Sequence, residues 1–180
     1  MKHLWIFGIW AAVAACAPSG GGNHDGGTSE TGGSWNKVEA SAKSSAMGGE
    51  LVAKQDGREI VAVIKWRAYD AAKDASVSKW YGDMGTPPPA FVVDRLVLAI
   101  DGKGVSIPAS KYRYLGSKWM NQYSANPMSF NKQGDKMRLL VDVGDGGEGW
   151  TAVYVFDPAA GKLLSHSVDD GPAVHDQILP

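Results

Sequence analysis

The side chains best suited to acid–base or metal chemistry lie near the carboxyl-terminal end of the sequence. This cluster comprises two histidines and three aspartates: His166, Asp169, Asp170, His175 and Asp176. A histidine can serve as a general base or a metal ligand near neutral pH. Because no known nucleophile or metalloprotease motif accompanies the cluster, we interpret it as a polar surface tail. A hydrolase that uses His166, Asp170 and His175 is the alternative interpretation.

Aromatic side chains in irregular segments form a second candidate site. Trp80 and Tyr81 follow Lys79, and Tyr114 and Trp119 fall in a later stretch that is rich in tyrosine. Exposed rings beside polar groups are typical of sugar and peptide recognition. The same rings can instead pack over the end of a small β core, and this packing is the favoured interpretation. If the rings are exposed, the candidate ligand contacts are Trp80, Tyr81, Tyr114 and Trp119.

The glycine-rich segment at residues 144–149 (GDGGEG) matches the G-x-G-x-x-G pattern of dinucleotide-binding loops. Such a site needs a helix after the loop, because the helix amino terminus binds the pyrophosphate. Residues 150–156 are instead aromatic and β-branched with a period of two, which predicts a strand. We therefore expect a hairpin loop and no cofactor. Asp145 and Glu148 lack EF-hand spacing, so no metal site is expected either.

Strands with alternating apolar and polar residues must position these groups. In residues 59–69, alternate apolar side chains share one face and the other face mixes charged and apolar residues, and Trp66 and Trp150 fall on faces expected to be buried. Similar patterns predict strands at 51–54, 59–69, 90–100, 105–107, 128–132, 137–143, 150–156 and 162–168. Short turns favour antiparallel neighbours. The predicted fold is a mainly β, single antiparallel domain, a sandwich or partly closed barrel of seven to eight strands, with one or two short helices at 70–79 and 108–116.

The overall composition excludes several classes of protein. The sequence has 18 Lys plus Arg and 19 Asp plus Glu, a net charge of −1, and 44% hydrophobic residues. These values exclude fibrous, wholly disordered and polytopic membrane proteins. Nucleic acids are bound by strongly basic surfaces, so we expect no nucleic-acid partner. The single cysteine, Cys16, excludes an intrachain disulfide and a cysteine-based zinc site.

The amino-terminal segment has the organisation of an export signal. A short basic start precedes an unbroken apolar run at residues 4–15. As a helix this run would span about 18 Å, which is less than the ~30 Å hydrocarbon core of a bilayer. A basic start, a short apolar run and small residues before a cleavage point define a secretory signal peptide. The closing residues Val13-Ala14-Ala15-Cys16 resemble the lipobox of bacterial lipoproteins.

This resemblance implies a lipid anchor. In bacterial lipoproteins the cysteine thiol, here that of Cys16, receives a diacylglyceryl group, the chain is cut before the cysteine, and the new amine is usually fatty-acylated. Two or three acyl chains give stable attachment to a bilayer, which is the implied partner. Ala17 replaces the aspartate that retains enterobacterial relatives in the inner membrane, and this favours the outer membrane if the host is Gram-negative. The alternative is conventional cleavage within Ala15-Cys16-Ala17, with an incidental cysteine.

Three parts of the chain are predicted from these patterns: a signal peptide at 1–15, the lipidated Cys16 with a flexible Gly/Ser-rich tether at 16–34, and a single mainly β domain at 35–180. The tether has too few apolar residues to offset the entropy of folding. In the domain, Asp101-Gly102-Lys103, Ile107-Pro108 and Tyr112, together with the later G-D-G-G loop, resemble small secreted bacterial domains without an assigned activity.

The expected function follows from the anchor and from the absence of a catalytic motif. We expect an exported, membrane-anchored envelope lipoprotein whose β domain is a non-enzymatic binding or structural module. Its expected partner, besides the bilayer, is an envelope protein or a glycan, and a peptidoglycan-binding module is one alternative. The envelope hydrolase that uses the carboxyl-terminal histidines and aspartates is the other.

Overall fold

The computed structural model describes residues 34–81, 88–118, 126–144 and 149–170. All of them belong to one compact unit of the chain. This part of the chain contains eleven strands, one four-residue helix and one 3₁₀ turn. The elements are β1 Asn36–Val38, β2 Ala40–Ser45, β3 Gly48–Gln55, β4 Arg58–Ala68, α1 Ala71–Asp74, β5 Phe91–Ile100, β6 Lys103–Val105, the 3₁₀ turn Ala109–Lys111, β7 Gly116–Ser117, β8 Met128–Gln133, β9 Lys136–Val143, β10 Trp150–Asp157 and β11 Lys162–Asp170.

The strands form two sheets in which every pairing of named strands is antiparallel. The first sheet has the order β1-β8-β9-β10-β11, and the second has the order β2-β3-β4-β5-β6, with β7 pairing with β5. Most neighbours in a sheet are consecutive along the chain, so hairpins dominate the topology. Within the described ranges the sheets do not close into a barrel. The predicted mainly β antiparallel fold is confirmed.

The number of strands exceeds the expected seven to eight because short strands lack a readable pattern. β1 and β7 have three and two residues, and β2 (ASAKSS) is almost entirely exposed, so it has no apolar face to alternate. Both predicted helical segments contain one short turn of helix, α1 and the 3₁₀ turn. In the described ranges, no helix combines the length and hydrophobicity needed to cross a membrane.

Inward-facing apolar residues of both sheets form one core. Along β4, Ile60, Ala62 and Ile64 are buried, while Val61 and Val63 between them are more exposed, as the alternation predicted. Trp66 and Trp150 are also buried, with ring centroids 6.3 Å apart, which confirms their assignment to the core. The indole nitrogen of Trp150 donates a hydrogen bond of 2.8 Å to the carbonyl of Gly116. This bond ties β10 in the first sheet to β7 in the second.

Candidate ligand-binding groove

The structure brings together two of the four aromatic residues proposed as ligand contacts. The rings of Tyr81 and Tyr114 lie 5.5 Å apart, and both are half-buried. Trp80 turns away, and its ring packs edge-on against Tyr69 at 6.0 Å. Trp119 lies outside the described residues. The tyrosine pair packs against the core, as the favoured interpretation predicted, and keeps an exposed side, so ligand contact stays a prediction.

A short parallel pairing of two loops creates this contact. Tyr81 forms an isolated parallel bridge with Leu115. The amide of Tyr81 donates to the carbonyl of Tyr114 at 3.2 Å, and the amide of Gly116 donates to the carbonyl of Tyr81 at 3.2 Å. Because Leu115 is fully buried, the bridge anchors the segment after α1 to the segment before β7.

The segment that leads to Tyr81 is fixed at its start by a charged pair. The guanidinium of Arg67, on β4, donates two hydrogen bonds of 2.7 and 2.6 Å to the carboxylate of Asp74, at the end of α1. Asp74 also accepts from the amide of Asp70 at 2.9 Å and is 5% exposed. The paired Arg67 holds the pKa of the Asp74 carboxyl below its ordinary value. A bidentate pair of this kind restricts orientation as well as position, so it directs the chain after α1 toward the tyrosines.

The two loops enclose an open groove of about 380 Å³. We call it the Tyr81 groove. Its walls combine aromatic rings, hydroxyl groups and cations, contributed by Ser76, Val77, Ser78, Lys79, Tyr81, Ser110, Arg113 and Tyr114. In the part of the chain that the structure describes, the three serine hydroxyls have no hydrogen-bond partner. They are therefore available to a ligand.

The charged groups at the groove are mostly positive. The ammonium of Lys79 lies 4.3 Å from the centre of the Tyr81 ring and 3.9 Å from a carboxylate oxygen of Asp170. Arg113 is exposed and forms no ion pair with any described residue. Of the two cations that line the groove, Lys79 therefore lies near a carboxylate, and Arg113 has no carboxylate partner among the described residues.

A histidine supports the groove from behind. The hydroxyl of Tyr114 lies 3.3 Å from Nε2 of His166, whose ring packs 4.8 Å from the ring of the buried Tyr154. Tyr154 donates to the carbonyl of Lys111 at 3.0 Å. Burial, followed by the nearby charge of Lys111, lowers the pKa of His166, and burial raises the pKa of Tyr114. His166 is thus held neutral in a packed contact near pH 7.

This position corrects the interpretation of the carboxyl-terminal cluster as a surface tail for His166 alone, because Asp169 and Asp170 are exposed on β11. His166 belongs to β11, where it pairs with Tyr154 on β10 and turns inward. Asp170 is four residues further along the same strand, about 13 Å away, and faces Lys79. His175 and Asp176 lie outside the described residues. Within the ranges described, no group of three or more metal-ligating residues occurs, and His166 and Asp170 are not brought together.

Two further sequence predictions concern loops. The residues after the glycine-rich segment form β10, antiparallel to β9, so the predicted strand is confirmed and the loop joins a hairpin rather than a strand to a helix. Residues 145–148 lie outside the described part of the chain, as does Cys16. The sequence patterns did not predict that charged side chains and serine hydroxyls line one groove with the tyrosines, nor that His166 contacts Tyr114. The one signal is that each loop has a cation one or two residues before its tyrosine.

A larger depression of about 510 Å³ lies on the outer face of the second sheet. It is lined mainly by strand residues, among them Lys43, Glu50, Val63 and Lys65. Lys43 and Glu50 form an ion pair of 3.0 Å across β2 and β3. Trp66, the one aromatic residue among its lining residues, is 6% exposed and belongs to the core. The smaller Tyr81 groove has two half-buried rings and serine hydroxyls without a hydrogen-bond partner among the described residues, so it is the better candidate for a ligand.

Comparison of the whole chain with protein-family models, with curated proteins and with solved structures finds no match.

Proposed function

We propose that this protein is an envelope lipoprotein that is anchored through acylated Cys16 and binds a cell-wall glycan in the Tyr81 groove. The observation that carries the binding role is the pair of half-buried rings, Tyr81 and Tyr114, beside three serine hydroxyls that have no hydrogen-bond partner among the described residues. The lipobox-like segment before Cys16 supports the anchor. The outer membrane is the proposed location in a Gram-negative host.

The chemistry of the groove suits a sugar. A pyranose ring has an apolar face that packs on an aromatic ring and equatorial hydroxyls that need hydrogen-bond partners. The Tyr81 groove offers both, because the two tyrosines line it together with Ser78 and Ser110. Its volume of about 380 Å³ lies at the lower end of the range of small-molecule sites. The groove is therefore of a size for a short segment of a chain.

A glycan fits better than a folded protein partner. A stable protein interface buries about 800 Å² on each side and has an apolar centre. The Tyr81 groove is small and is bordered by charged and hydroxyl side chains, with Val77 its one aliphatic residue. Such a surface provides little apolar area for docking a protein, whereas it provides several directional contacts for a polar chain.

The proposed tether matches a target close to the membrane. The 18 residues between Cys16 and Trp35 would reach about 21–25 Å root-mean-square as a Gly/Ser-rich coil. The β domain would therefore stay within a few nanometres of its bilayer. Peptidoglycan is the envelope glycan for which such a short tether is useful.

Sedimentation with insoluble peptidoglycan tests this proposal. The full chain, purified in detergent, is incubated with isolated peptidoglycan and the bound fraction is measured for the wild type, Tyr81→Ala and Tyr69→Ala. Tyr69 is a matched half-buried tyrosine that packs on Trp80 outside the groove. We expect Tyr81→Ala to weaken binding about tenfold, the equivalent of about 1.4 kcal/mol, and Tyr69→Ala to leave it unchanged. Absence of wild-type binding, or equal binding by all three proteins, would overturn the proposal.

A further inference from the structure

We infer that the Tyr81 groove selects an acidic form of its glycan, one in which a carboxylate lies within reach of Arg113 and Lys79. This inference rests on the proposed function and adds the charge of the ligand to it. The observations that carry it are the positions and partners of the charged side chains around the groove.

Arg113 is the group best placed to recognise an anion. Its guanidinium is exposed on the groove wall, next to Tyr114, and no described carboxylate pairs with it. A guanidinium presents a planar set of donors that matches a carboxylate with two parallel hydrogen bonds. An arginine without a described carboxylate partner, beside a ring proposed to contact a sugar, therefore favours a sugar that carries a carboxylate over a neutral one.

The surrounding charges reinforce this preference. Lys79 lines the same groove and has a weak contact of 3.9 Å with Asp170. Lys111 is close enough to His166 for its positive charge to act on that ring. Of the described acidic residues nearby, Asp74 is engaged by Arg67. Lys111 is not among the lining residues, so the described lining has two cations, Lys79 and Arg113, with one nearby carboxylate, that of Asp170. The described charges at the groove are therefore positive on balance, although the whole chain has a net charge of −1.

Hydroxyl groups complete the recognition of an acidic sugar. Ser76, Ser78 and Ser110 line the groove together with the cations. Each hydroxyl can donate to a carboxylate oxygen or accept from a sugar hydroxyl. A carboxylate held by Arg113 would leave the sugar ring beside Tyr81 and Tyr114, with the serines bordering its hydroxyls. The tyrosine rings would thus contact the sugar ring, and the neighbouring Arg113 would bind its carboxylate.

Chemical neutralisation of the ligand separates this inference from the proposed function. The full chain in detergent is sedimented with native peptidoglycan and with the same material after carbodiimide amidation, which converts its free carboxylates to amides. Arg113→Gln and Lys79→Gln are compared with Arg95→Gln, a matched exposed arginine on β5 outside the groove. Circular dichroism melts establish that each variant is folded.

We expect amidation to weaken wild-type binding about tenfold, and Arg113→Gln to weaken binding to native material about as much. Amidation should then have little further effect on the binding of Arg113→Gln, because the guanidinium that would pair with the carboxylate is already absent. Arg95→Gln should bind both materials as the wild type does. Equal wild-type binding to native and amidated peptidoglycan would overturn the acidic preference and leave the glycan function standing. No binding to either material would overturn both. If amidation weakens wild-type binding but Arg113→Gln and Lys79→Gln bind native peptidoglycan as the wild type does, the assignment of Arg113 and Lys79 as the carboxylate-binding groups is overturned.

Discussion

The hydroxyl of Tyr114 lies 3.3 Å from Nε2 of His166, and this contact joins the two sheets behind the Tyr81 groove. Tyr114 belongs to the loop between β6 and β7 of the second sheet, whereas His166 is on β11, the edge strand of the first. The ring of Tyr114 is thus held on one side by Tyr81 and on the other by a histidine. Because both sheets position this ring, the groove depends on the whole sandwich.

His166 should make the protein less stable in mild acid. Its pKa in the folded state is lowered, chiefly by burial, so just below the ordinary value of about 6.5 the unfolded chain binds more protons than the folded one. Stability from this group is therefore fully present above about pH 6.5 and falls as the pH decreases, by at most about 1.4 kcal/mol per pH unit for one proton. Urea unfolding at pH 7, 6 and 5 should show a shallower fall for His166→Gln. An identical pH dependence in the two proteins would contradict this role.

Arg67 and Asp74 should be strongly coupled. Removing either partner leaves a partly buried charge without its two short hydrogen bonds, because Asp74 is 5% exposed. We expect Asp74→Asn to lower the free energy of unfolding by about 2 kcal/mol. Chemical denaturation of Arg67→Met, Asp74→Asn and the double variant measures the coupling energy. Strictly additive effects would show that the pair contributes nothing beyond its separate residues.

Two strand glycines should respond in opposite ways to the same substitution. A Cβ atom at Gly48 would lie 2.4 Å from the backbone carbonyl oxygen of Ile64, whereas one at Gly104 would meet nothing within 4 Å. Gly48→Ala should therefore destabilise the protein by about 1–3 kcal/mol, because the neighbouring strand must move. Gly104→Ala should be neutral or stabilising by about 0.5 kcal/mol, since alanine restricts the unfolded chain. Thermal melts compare the two, and equal shifts in Tm would be inconsistent with this packing.

Cys16 should receive the lipid in the producing cell. Metabolic labelling with a fatty-acid analogue is expected to mark the wild-type chain and not Cys16→Ser, because the serine hydroxyl is a weaker nucleophile than the thiol at this position. Fractionation should place the wild-type protein with membranes. Labelling that persists in Cys16→Ser would show that another residue carries the lipid.

The strands could be predicted from the sequence wherever one face is buried and the other is not. The alternation in β4 identified Ile60, Ile64 and Trp66 as core residues before any pairing was known. β2 could not be predicted, because all but one of its side chains are exposed and nothing in its pattern distinguishes a strand from a loop. Strand periodicity therefore reports burial, and it is silent where a strand is exposed on both faces.

The candidate site was only partly predictable, since it depends on contacts between distant segments. The loop residues Tyr81 and Tyr114 were recognised one by one as aromatic residues in polar surroundings, but their meeting depends on the parallel bridge to Leu115. His166 already fell in the predicted strand at 162–168, but the direction of its imidazole toward Tyr154 depends on the pairing of β10 with β11. No local pattern encodes either pairing.

Nuclear magnetic resonance mapping tests the central claim most directly. The full chain in detergent is titrated with soluble peptidoglycan fragments that retain their carboxylates, and amide chemical-shift changes are followed for each assigned residue. We predict saturable changes that are largest at residues 76–81 and 110–114, and that require about tenfold more ligand in Tyr81→Ala. Changes confined to the depression around Lys43, Val63 and Lys65, or no saturable change at all, would contradict the assignment of the Tyr81 groove as the ligand site.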